Sequence, residues 1–128
     1  MSKILSIVFI VVVAVTTALA QEPNRNDDPP STGIAPAAIN GIGRADARVR
    51  DQNGNPIKDA FVKLESSRTD GFFCESWNDT DARGFALLPP IHMGILKFKI
   101  KAKGYHSQEI EVPFAQLGEP VRVTLRKK

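Results

Sequence analysis

From Arg44 to the end of the chain, apolar and polar residues alternate in short runs. Ala45, Ala47 and Val49 alternate with Arg44, Asp46, Arg48 and Arg50, as in a strand with one buried face. Asp51-Gln52-Asn53-Gly54-Asn55-Pro56 stops that run, because Asn-Gly favours a turn and Pro56 cannot continue a ladder. Val62 and Leu64 share a face in the next strand, and Phe72 to Asn78 forms a third. Thr80-Asp81-Ala82-Arg83-Gly84 reads as a turn, after which Phe85 and Leu87 are expected to resume the inward face. The clearest alternation sets Leu96, Phe98, Ile100 and Ala102 against Lys97, Lys99, Lys101 and Lys103. Ile110 and Val112 alternate with Glu109 and Glu111, and Val121, Val123 and Leu125 with Arg122, Thr124 and Arg126. Phe114 to Gly118 has room for one helical turn. Seven short strands, each with one apolar face, predict an all-β fold in which two sheets pack face to face.

The N-terminus is different. Lys3 is the only charge before Glu22, Ile4 to Val15 is almost continuously apolar, and Ala18-Leu19-Ala20 follows. A basic start, a short apolar run and a small-x-small end predict a signal peptide over 1–20, cleaved after Ala20. The run is short for a membrane span, so none is expected after cleavage. Residues 21–41 are rich in proline and polar residues and show no period, which predicts a disordered linker. The sandwich domain is expected over 42–128. Export implies a secreted or periplasmic location.

Composition narrows the chemistry. The chain has 128 residues with nine Gly and nine Pro, which suits a turn-rich β protein. Its one Cys excludes an internal disulfide, and with two His it cannot make a four-ligand His/Cys zinc site. Removing residues 1–20 takes away Lys3 and no acid, leaving 16 Lys+Arg against 14 Asp+Glu, a net charge of +2. That balance and export give no reason to expect a nucleic-acid partner. Cys74, in an oxidising compartment, is expected to point into the sandwich beside Phe72.

Three pieces of the chain together resemble a known family. They are Val49 to Ile57 followed by Ala60-Phe61-Val62, then Thr80-Asp81-Ala82-Arg83-Gly84-Phe85, then Gly94 to Gly104-Tyr105. In that order they resemble the carboxypeptidase regulatory-like domain, a transthyretin-like (prealbumin-like) β-sandwich found beside metallocarboxypeptidase catalytic domains and in exported bacterial proteins. The second piece is one residue tighter before Phe85 than the family pattern, and the third has Ile or Leu where an aromatic is usual. The resemblance implies a structural or interaction module with no catalytic, cofactor-binding or metal-ligating residues. It therefore leads to the expectation of a protein that is not an enzyme.

The residues argue against several specific chemistries. There is no His-x-x-Glu zinc pair. Transthyretin-like hydrolases end in Tyr-Arg-Gly-Ser, whereas this chain ends Leu125-Arg126-Lys127-Lys128. Intradiol dioxygenases share a related sandwich but hold iron with two Tyr and two His, and only Tyr105 is present. Isopeptide-forming adhesin domains need a Lys and an Asn that the first and last strands lack. Asp79-x-Asp81 suggests calcium, but Arg83 stands where a third oxygen ligand would, which favours a side-chain-bonded turn. Asn78-Asp79-Thr80 matches a glycosylation sequon.

Two surfaces remain as candidates. Lys97, Lys99 and Lys101 form a cationic ladder, read either as a solvated face paired with Glu109 and Glu111 or as an anionic-partner site. In one phase of the third strand, set by the family pattern, Phe73 and Trp77 point outward together, where paired aromatics suit a sugar ring or a partner's apolar surface. In the opposite phase, or under a covering loop, they do not. The function expected is protein–protein interaction or scaffolding at the cell envelope, or alternatively carbohydrate binding through exposed aromatics. No cofactor is expected. If the leader is read correctly, mass spectrometry of the mature protein will show Gln21 at the N-terminus, free or cyclised. An intact Met1 on envelope material would reject the cleavage.

Overall fold

The computed structural model describes residues 28–128. The expected signal peptide and residues 21–27 of the expected linker lie outside the described residues. The chain forms β1 (Ile42–Gly43), β2 (Asp46–Asp51), β3 (Phe61–Ser67), β4 (Phe73–Asp79), β5 (Phe85–Leu87), β6 (Ile91–His92), β7 (Ile95–Lys101), β8 (Gln108–Val112) and β9 (Val121–Leu125). A 3-10 turn, Phe114–Gln116, precedes β9.

Two sheets make the sandwich. The order in one is β5-β2-β9, with β5 antiparallel and β9 parallel to β2. The other is fully antiparallel in the order β4-β3-β7-β8. The two-residue strands β1 and β6 pair with each other. Ala47, Val49, Val121 and Val123 point inward from the first sheet, and Val62, Leu64, Phe98 and Ile100 from the second. Ile57, Ala60, Met93 and Leu117 complete the core. The alternation in β2, β3, β7 and β9 therefore placed the core faces as the sequence pattern implies.

β5 corrects the expectation for Phe85 and Leu87. Its register sets Ala86 opposite Ala47, so Ala86 faces the core with Leu88, while Phe85 and Leu87 pair with Arg48 and Asp46 on the outer face. The ring of Phe85 lies between two guanidiniums, 4.3 Å from that of Arg48 and 4.4 Å from that of Arg83. Such contacts contribute on the order of 0.5–2 kcal/mol each and hold the aromatic outside the core.

β2 differs from a simple half-buried strand. Asp46 and Arg48 belong to the outer face yet are 3% and 2% exposed. Arg48 Nη2 lies 3.0 Å from Asp46 Oδ2. The cover comes from residues expected to be linker. The Thr32 N–H donates to Asp46 Oδ2 at 3.0 Å, and Arg48 Nη2 donates to the Pro30 carbonyl at 3.2 Å. Ile34 and Arg44 exchange backbone hydrogen bonds, and Pro36 is buried. Asp28 meets three guanidiniums: Arg122 Nη1 at 2.8 Å, Arg50 Nη2 at 3.4 Å and Arg48 Nη1 at 3.6 Å. The hydrogen bond from Arg122, aided by the charges of all three, lowers the Asp28 pKa against the opposing effect of burial. Residues 28–41 thus form an arm lying on the domain, because hydrogen bonds and charge supply the order that its composition does not.

Thr80 and Asp81 explain the turn before β5. Thr80 is buried; its Oγ1 accepts from the Ala60 N–H at 2.8 Å and donates to the Ile57 carbonyl at 2.6 Å. Asp81 Oδ1 accepts from the N–H groups of Arg83 and Phe85 at 2.9 and 3.0 Å. Gly84 closes the turn at φ +80°, and its carbonyl accepts the Val49 N–H at 2.8 Å. A Cβ at Gly84 would stand 2.4 Å from the Val49 carbonyl oxygen. Gly84→Val should therefore destabilise by more than about 1 kcal/mol, from both the left-handed φ and the collision. The check is a lowered urea midpoint at unchanged slope. Equal midpoints would show that the turn tolerates a side chain.

Candidate functional site

β4 is an edge strand with two faces of different character. In its pairing with β3, the Arg68 N–H donates to the Phe72 carbonyl at one end and the Thr80 N–H to the Ala60 carbonyl at the other. Antiparallel alternation then gives the ladder bonds to Cys74, Ser76 and Asn78, and turns the N–H and C=O groups of Phe73, Glu75 and Trp77 away from β3. Among the described residues, none of these three groups is hydrogen-bonded to a segment on that side.

The side chains follow the same alternation. Ser76 is buried, and its Oγ donates to the Pro89 carbonyl at 2.6 Å. Cys74 is half-buried on the same face, opposite Ser66. Phe73 and Trp77 lie on the outer face, 56% and 54% exposed. They are four strand residues apart, or roughly 13 Å, with Glu75 between them. The two rings therefore stand as separate anchors and do not form one stacked platform.

Phe72 corrects its expected inward position beside Cys74: it is 66% exposed. It closes the 68–72 loop, in which Gly71 has φ +95°, so it lies beyond the sandwich, with its ring centroid 5.5 Å from the Arg68 guanidinium.

Beside the aromatics, the outer face of this sheet is a charge lattice. Lys63 Nζ lies 3.4 Å from both Glu65 and Glu75. Lys99 Nζ lies 3.3 Å from Glu65 and 3.8 Å from Glu109, and Lys97 lies 4.0 Å from Glu109. Burial raises the Glu65 pKa, but hydrogen bonds and charge from Lys99 and Lys63 outweigh it and the net shift is downward. The hydrogen bond to Glu65 is the largest cause of the raised Lys63 pKa. Exposed pairs of this kind contribute little each, about 0–1 kcal/mol, but they neutralise the face. Lys97 and Lys99 are thus neighbours of carboxylates.

Lys101 leaves the lattice. It lines an open pocket of about 440 Å³ at one end of the sandwich, with Lys103, Tyr105, His106, Lys128 and Asp59. Only the lysine run marks this pocket in the sequence. Tyr105 bridges to Lys127, and the Lys128 N–H donates to the Gly104 carbonyl at 3.0 Å, which brings the C-terminal lysine to the pocket. His92 lies elsewhere, in β6, where Nδ1 is 3.0 Å from the Asn40 carbonyl. The seven residues of β7, roughly 20 Å of strand, run between the His92 end and the Tyr105 end of the sheet. Among the described residues, no three His, Cys, Asp or Glu side chains group as metal ligands.

No protein-family model matches the chain, and no curated protein matches it in sequence. Among solved structures, it is similar to a 3-chlorocatechol 1,2-dioxygenase from Rhodococcus opacus 1CP, with a TM-score of 0.53 and 15% identity over 89% of this chain and 78% of that one. The likeness supports the β-sandwich. It also corrects the expectation that the protein is not an enzyme. The sandwich is shared with a catalyst, so the architecture gives no ground for setting catalysis aside. At this identity the likeness carries the fold and no activity.

Trp77 is the single tryptophan. With its indole on the open face of β4, native fluorescence should be red-shifted and quenched by acrylamide nearly as efficiently as in urea. A blue-shifted, protected emission would show that another segment covers it.

Proposed function

We propose that this chain is an exported β-sandwich binding module of the carboxypeptidase regulatory-like type, and that it takes an extended segment of a protein partner along β4. The observation that carries the reading is the coincidence, on one edge strand, of outward backbone groups at Phe73, Glu75 and Trp77 with two exposed aromatic side chains. An added strand gains affinity from main-chain hydrogen bonds and specificity from the side chains beside them. Edge strands are commonly guarded by lysine or proline, and β4, reading Phe-Cys-Glu-Ser-Trp-Asn-Asp, carries neither. Export rests on Lys3, the apolar run and Ala18-Leu19-Ala20. No helix among the described residues is long and apolar enough to cross a membrane.

The second reading is carbohydrate binding, favoured by the exposed indole of Trp77 next to the polar Lys63, its pairing partner on β3. The two readings separate by experiment. A photo-crosslinking residue at Glu75 should give a discrete adduct in envelope fractions, and the same residue at Glu109 on the opposite edge should not. With the crosslinker kept at position 75, Phe73→Pro removes an outward N–H and one ring without touching the β3 ladder, and Trp77→Ala removes the other ring. Each should lower the adduct yield about ten-fold, the scale of a lost hot-spot contact. Equal adducts at both edges would reject strand addition. Quenching of Trp77 by an oligosaccharide, unaffected by Phe73→Pro, would move the assignment to carbohydrate.

A further inference from the structure

The outer face of the β5-β2-β9 sheet carries a second site, distinct from β4. Arg48 and Arg50 of β2 and Arg122 of β9 converge on the Asp28 carboxylate at 2.8–3.6 Å. Arg48 is engaged by Asp46 and covered by Phe85, so its seat is permanent. Arg50 is held from the other side, where its Nη1 donates to the Gly54 carbonyl at 2.7 Å. Arg122 has no carboxylate partner other than Asp28 among the described residues. A cleft of about 120 Å³ opens beside the three guanidiniums, with Thr124 and Gln52 in its wall. Asp51 also lines it, but its Oδ1 accepts the N–H groups of Asn53 and Asn55 at 2.9 Å each and so belongs to the turn.

We propose that Arg48, Arg50 and Arg122 form a binding site for a tetrahedral oxyanion, phosphate or sulfate, which Asp28 occupies in cis as a displaceable stand-in. The chemistry follows from the fork geometry of guanidinium, which matches two oxygens at once, and from the carboxylate already held there. Charge supplies the drive. With Asp28 removed, three guanidiniums face Asp46 and the turn-bound Asp51, leaving one cation uncompensated. The arm does not have to leave as a whole. Thr32 and Ile34 remain bonded to Asp46 and Arg44, so only Asp28 and Pro29 have to move.

The test titrates inorganic phosphate, and separately sulfate, into the protein at ionic strength held constant with sodium chloride, following backbone amide signals by NMR. Asp28→Asn should bind at least one of the two about ten-fold more tightly than the unchanged protein, the scale of a charge-assisted hydrogen bond regained. The shifts should centre on Arg50, Arg122 and Thr124. Adding Arg122→Gln to Asp28→Asn should cancel the gain. In the unchanged protein, saturating oxyanion should move the Asp28 amide signal, and chloride alone should not. This reading does not depend on the variants folding. No gain from Asp28→Asn with either ion, a gain that survives Arg122→Gln, or an Asp28 signal that responds only to ionic strength would each overturn the site.

Discussion

β2 is buried on both faces, and the sandwich is organised around that constraint. Its inner face is apolar and small, with Ala47 and Val49 against the core. Its outer face holds an ion pair, Asp46 with Arg48, almost entirely withdrawn from water. Such a pair adds little net stability, yet leaving one member without its partners costs several kcal/mol. Every segment touching that face is therefore committed to satisfying it. Thr32 and Pro30 supply a donor and an acceptor, and Phe85 supplies a π-face. The outward turn of Phe85 and the ordering of residues 28–41 share this cause.

Arm and core are also joined sterically. A Cβ at Gly33 would stand 2.2 Å from the Leu117 carbonyl, so the arm runs against the segment that leads into β9. The middle of the arm is thus part of the domain. Asp28, at its outer end, is held by hydrogen bonds and charge from the arginines. That gradient from packed to electrostatic contact makes a structural arm compatible with a site that exchanges its ligand.

The four-stranded sheet distributes its polar groups differently. The outer side chains of β3, β7 and β8, with Glu75 of β4, form a lattice in which Lys63, Lys97 and Lys99 meet glutamates within and across strands. This face is solvated and close to neutral. β4, at its edge, instead presents two aromatics and backbone groups that β3 does not pair, so the two properties on which the proposed strand addition rests occur on the same strand. The basic character that leaves the lattice gathers at the far end of β7, around Lys101 and Lys103.

Fold class and most of the strand faces were legible in the local pattern of the chain. Period-two alternation survives wherever one side of a strand meets the core and the other meets water, as in β3, β7 and β9. It also placed Lys97 and Lys99 opposite the acidic side chains of β8, because register follows from the same pattern. It left Phe73 and Trp77 open between two phases, since a strand with aromatics on one face and Cys and Ser on the other has no dominant apolar side. The phase was set by strand pairing, which puts Cys74 beside Ser66 and Ser76 beside Leu64 on the inward face. Only the three-dimensional fold shows that Phe85 faces outward, that Phe72 lies in a loop, and that Asp28 reaches arginines twenty or more residues away. Local pattern records which residues avoid water. Which charges and rings cover one another depends on chain segments meeting across long separations, and no local period encodes that.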